Sequence, residues 1–71
     1  MRIDTESYEK SHGGKRPGGF RDVWTFHVKN GGRTEMLRFE NCEYSMAVRN
    51  LRQIFKNRGG AHPDAVAEVN P

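Results

Sequence analysis

Val23-Trp24-Thr25-Phe26-His27-Val28-Lys29-Asn30-Gly31-Gly32-Arg33-Thr34-Glu35-Met36-Leu37-Arg38-Phe39 decides how the chain must fold. Its first seven residues are rich in β-branched and aromatic side chains and alternate in polarity, which is the pattern of a half-buried strand. Asn30-Gly31-Gly32 tolerates the positive φ of a tight reversal. Thr34 to Phe39 then returns. A two-residue loop can use Asn30-Gly31 or Gly31-Gly32. Either choice places Trp24, Phe26, Val28, Leu37 and Phe39 on one face and Thr25, His27, Lys29, Thr34, Met36 and Arg38 on the other. A three-residue loop would flip one strand and break the match.

Downstream, residues 42–58 carry Tyr44, Ala47, Val48, Leu51, Ile54 and Phe55 at spacings of three and four, the mark of a helix with one buried stripe. Asn41 is the expected N-cap, and Glu43 suits the positive end of the helix dipole. Gly59-Gly60 ends the helix, after Lys56 and Arg58. The resulting expectation is an α+β fold. A small β-hairpin, extended to a three-stranded antiparallel sheet if residues 1–10 add an edge strand, packs on one C-terminal α-helix.

The flanks read differently. Ser11 to Gly19 holds four glycines, a proline and two cations, Lys15 and Arg16, a composition that buries little. Residues 61–71 offer little apolar area to anchor. The organisation expected is a flexible, glycine-rich basic arm over 1–20, a ββα domain over 21–60 and a flexible tail over 61–71. Two strands and one helix make a thin core, so edge-to-edge pairing of hairpins in a symmetric homodimer is the simplest reinforcement.

Composition bounds the function. The 71 residues allow one domain, with 34% hydrophobic and 30% charged residues. Cys42 is the only cysteine, so no disulfide forms within the chain. The sequence shows no stretch of about 18 apolar residues and no signal-peptide pattern, so a cytoplasmic protein without membrane contact is expected. His12, His27, His62 and Cys42 lack metal-ligand spacing, and no metal or other cofactor is expected. There is no nucleophile elbow or phosphate-cradling loop, so the chain reads as no enzyme. A pocket for a small molecule is not expected at this size.

Charge is the informative asymmetry. The net charge is +3, yet residues 46–58 alone hold Arg49, Arg52, Lys56 and Arg58 with no acid. On a helical wheel, Ser45, Arg49, Arg52 and Lys56 fall together. Cations at such spacing stand along one side of a helix and can meet successive phosphates. The function expected is therefore small, non-enzymatic nucleic-acid binding, DNA in particular. Arg49, Arg52, Lys56 and Arg58 would provide the helix face and Lys15 and Arg16 the arm. His27, Lys29 and Arg38 would contribute from the outer hairpin face. The alternative is a protein-binding regulator or inhibitor, of the kind phages encode. It would dock the basic helix and the hairpin edge on an acidic surface of a larger nucleic-acid-processing machine. Trp24, Phe26 and Phe39 are expected in the core rather than as base-stacking groups, and Phe20 is the better exposed aromatic.

The order of strand, Asn30-Gly31-Gly32, strand ending Leu37-Arg38-Phe39, then helix with Ala47, Leu51 and Phe55 resembles two small families over residues 22–58. One is the sheet-plus-helix DNA-binding module of tyrosine-recombinase arm domains and plant AP2 domains. That resemblance implies DNA reading by the exposed sheet face, here Thr25, His27, Lys29 and Arg38, although only two strands are clear in this chain. The other is the ββα dimerisation module of a mycobacterial nucleoid-protein family. It implies self-association through the hairpins, without the separate DNA-binding domain of that family.

Overall fold

The computed structural model describes residues 1–70. The chain runs β1 (Arg2–Asp4), α1 (Glu6–Ser11), β2 (Arg21–Asn30), β3 (Arg33–Glu43), α2 (Tyr44–Asn57) and β4 (Val66–Val69). The fold is α+β, as expected, with one main helix. The sheet is larger than expected and mixed: four strands in the order β1-β4-β2-β3, with β1 parallel to β4 and the other neighbours antiparallel.

The hairpin closes with Asn30 opposite Arg33, so Gly31 and Gly32 form the two-residue loop. Both have positive φ, 58° and 85°, the geometry that matches the twist of the flanking strands. In this register Trp24 faces Phe39 and Phe26 faces Leu37, so the apolar face forms as the alternation requires.

The segment between hairpin and helix departs from expectation. Asn41 does not cap α2. It lies inside β3 with φ 52°, where the register shifts between Asp22 and Trp24. Asparagine is among the few non-glycine residues that tolerate this left-handed conformation. Across the shift β3 spends one more residue than β2, a β-bulge that turns Cys42 rather than Asn41 towards the core. The Cys42 carbonyl accepts a 2.8 Å hydrogen bond from Trp24 Nε1, which satisfies the only polar atom of that buried indole. The helix starts at Tyr44, with Glu43 in the extended cap position.

The apolar stripe of α2 packs where the periodicity places it. Ala47, Leu51 and Phe55 are buried against Trp24, Phe26 and Val28, with Tyr44, Val48, Leu37 and Phe39 partly buried around them. At the far end the Gly60 N–H donates to the Phe55 carbonyl at 2.8 Å and that of Gly59 to Lys56 at 3.1 Å, closing the last turn.

The tail expected to be loose instead supplies an inner strand. Val66–Val69 lies between β1 and β2, with Ala67 paired to both Ile3 and Val28. Ala67 and Val69 are fully buried. Four residues are too short to form a strand on their own, and pairing on both sides supplies the backbone hydrogen bonds that hold them extended. The N-terminal segment is not a plain arm either. Besides β1 it forms α1, whose Tyr8 is buried and sits 5.8 Å from Trp24. The loop from His12 to Phe20 follows, outside any helix or strand. Pro71, part of the expected tail, lies outside the described residues.

Replacing Ala67 with Asp places an unpaired carboxylate in the core and is expected to remove several kcal/mol of stability, enough to abolish cooperative thermal unfolding followed by circular dichroism. Leu51→Ala should cost about 2–5 kcal/mol in the same assay. A wild-type melt from the Ala67 variant would contradict an inner position for β4.

Candidate functional site

The α2 helix sorts its exposed side chains into two flanks. One carries Ser45, Arg49, Arg52 and Lys56, all exposed. At about 1.5 Å rise per residue, Arg49 and Lys56 stand about 10 Å apart along the axis. Arg52 Nη1 donates 3.2 Å to the Met1 carbonyl, which turns this flank towards the β1 side of the sheet. That acceptor is neutral and leaves the arginine charge uncompensated. Among the described residues none of Arg49, Arg52 or Lys56 forms an ion pair. Burial pushes the Tyr44 phenol up from its ordinary pKa, and the positive charge of Arg52 offsets part of that rise.

Arg58 belongs elsewhere. It lies past the end of α2, and its Nη1 reaches both carboxylate oxygens of Glu35, at 2.8 and 3.0 Å. Its guanidinium also sits 5.4 Å over the Phe55 ring. The residue fastens the helix end to β3 and is not presented with the other three. The pair holds the Glu35 carboxyl below its ordinary pKa, the hydrogen bond from Arg58 being the largest cause.

Lys15 and Arg16 are exposed in the loop after α1. This loop rejoins the sheet where α2 begins: Phe20, 45% exposed, rests 5.4 Å from Trp24, and Trp24 sits 5.3 Å from Tyr44. The glycine-rich segment thus rejoins the sheet at the end of the helix nearer Arg49 than Lys56.

The outer hairpin face is separate from the helix flank, on the opposite side of the sheet. It holds Thr25, His27, Lys29, Thr34, Met36 and Arg38, as the alternation requires, but β1 and β4 widen it with Arg2, Asp4, Val66 and Glu68. Glu68 pairs directly with His27, and Asp4 stands beside Glu68. Arg38 is joined to Glu40 at 3.0 Å. The face is therefore of mixed sign, since β4 brings Glu68 and β1 brings Asp4 beside the cations of the hairpin. Around Val66, the residues Arg2, Asp4, His27, Lys29 and Glu68 border an open cleft of about 330 Å³, a concavity not expected at this chain length.

Trp24 and Phe26 are buried and Phe39 is partly buried, so these rings are core groups. Among the described residues no group of three or more His, Cys, Asp or Glu side chains is placed to hold a metal ion. His12 instead stacks on Tyr8 at 3.8 Å, and His62 takes the Asn30 side chain through its backbone N–H. No helix among the described residues is long and apolar enough to cross a membrane. No protein-family model, curated protein or solved structure matches the chain.

The carboxyl of Glu35 should titrate below 4.5 by NMR and move back up in Arg58→Met. Since its pKa is lowered on folding, the stability it adds is present above the unfolded-state value and is lost as pH falls through the folded one. Wild type and Arg58→Met should therefore differ in melting temperature at neutral pH and converge under acid conditions. Equal melting temperatures at neutral pH would count against the clamp.

Proposed function

We propose that the protein is a small non-enzymatic nucleic-acid-binding protein, with DNA the leading ligand, and that it engages phosphates through Arg49, Arg52 and Lys56. The observation that carries this reading is the alignment of three exposed cations along one flank of α2, with no acid between them. Of the four cations of this segment only Arg58 has a carboxylate partner, Glu35, while Arg49, Arg52 and Lys56 form no ion pair among the described residues. Charged groups left uncompensated on one face create a field that attracts a polyanion. Two of the three are arginines, whose fork fits phosphate oxygens. Lys15 and Arg16, in the loop that rejoins the sheet near the start of α2, extend the same contact. The binding role is assigned to the helix flank rather than to the sheet face, where Asp4, Glu40 and Glu68 would repel a phosphate backbone.

Fluorescence anisotropy with labelled duplex and single-stranded DNA over a salt series tests this. Binding should weaken steeply with salt. The variant R49A/R52A/K56A should flatten the log–log salt slope by about 2–3 for duplex DNA. Arg38→Ala should leave the slope unchanged. Absence of binding at low salt would overturn the nucleic-acid reading. It would favour an acidic protein surface as partner, to which a net charge of only +3 is equally suited.

A further inference from the structure

The long outer edge of the sheet is open. β3 has 11 residues, and β2 pairs only one side of it. The Asn30–Arg33 closing pair fixes the phase of the ladder. In an antiparallel pair, bonded and non-bonded partners alternate. Glu35 and Leu37 therefore exchange hydrogen bonds with β2. The backbone N–H and C=O groups of Thr34, Met36 and Arg38 point away from it, and no other group among the described residues takes them. Met36, at the middle of this row, is 64% exposed, the highest value of any large hydrophobic residue described.

We propose that this edge pairs with the β3 strand of a second copy of the chain, about a two-fold axis passing beside Met36 and perpendicular to the sheet. The two sheets become one continuous sheet. In that register Met36 meets its own counterpart, and Thr34 meets Arg38 of the other copy. Glu35 meets Leu37, and Arg33 meets Phe39. No like charges stand opposite each other, which is the condition antiparallel self-pairing must satisfy.

An independent feature agrees. The two-fold axis also brings the α2 helices together, because they lie on the same side of the joined sheet. With the cationic flank turned towards β1 by the Arg52–Met1 bond, the other flank faces the β3 edge. That flank is Met46, Asn50, Gln53 and Asn57, without a single charge. Met46 is 42% exposed, and Gln53 donates to Asn57 at 2.8 Å. Since α2 packs over β2 and β3, and strands lie about 4.8 Å apart, the two axes come within the roughly 8–10 Å of helix packing. The charges on this side, Arg58 and Glu35, are paired with each other at 2.8 Å, while the uncompensated cations stand on the other. The cationic flanks stay outermost, so the assembly does not depend on the nucleic-acid reading.

The test is a concentration series by sedimentation velocity, with amide hydrogen exchange by NMR on the same samples. A dimer mass is expected, with the amides of Thr34, Met36 and Arg38 gaining protection as concentration rises. Those of Glu35 and Leu37 are already protected and should change less. Met36→Lys sets two cations against each other at the axis and should weaken association at least about tenfold, about 1.4 kcal/mol. Its circular dichroism should stay native, because the side chain is solvent-exposed in the single chain. A monomer mass throughout would overturn the proposal. So would a dimer in which those three amides exchange at a concentration-independent rate.

Discussion

Everything in this small domain rests on the strand pairing of Val66–Val69 between β1 and β2. Without it the first strand has no neighbour, since β1 touches the sheet only through β4. The buried faces of Phe26 and Val28 would also lose Val69 and Ala67, their cross-strand neighbours. The last strand to leave the chain thus occupies the gap between the first two. The two ends of a 71-residue sequence are locked together by backbone hydrogen bonds rather than by a disulfide or a metal.

That arrangement also decides where charge can be shown. The sheet has one covered face, under α1 and α2, and one open face. Inserting β4 puts Glu68 beside His27 and brings β1 with Asp4 next to it, so the open face carries both signs. The helix flank escapes this mixing because Arg52 meets the uncharged Met1 carbonyl and no carboxylate pairs with Arg49, Arg52 or Lys56 among the described residues. Arg58, one helical turn beyond Ile54 and on the sheet-facing side, meets Glu35 and is spent on structure. Four cations that look equivalent along the chain are therefore divided by geometry into three that face outward and one that is a clamp.

The bulge at Asn41 has a similar reach. One extra residue in β3 re-aims the end of the strand, places Cys42 under Trp24 and starts the helix from an extended Glu43. The same asparagine suits a helix cap and a left-handed bulge, so its identity alone does not separate the two. Tertiary pairing with Asp22 and Trp24 selects the bulge.

The hairpin, its Gly31-Gly32 turn, the aromatic face and the stripe of α2 were legible in the sequence. Each depends on local periodicity and on side chains with strong conformational preferences. The exposed position of Arg49, Arg52 and Lys56 was legible for the same reason. What only the tertiary structure decided was the fate of the ends and the partners of the charges. Val66-Ala67-Glu68-Val69 has too little apolar area to signal a strand by itself, and its strand geometry comes from neighbours about 40 to 65 residues away in the chain. Whether an arginine is free or clamped likewise depends on which carboxylate the fold brings within reach, and periodicity along one segment carries no record of that.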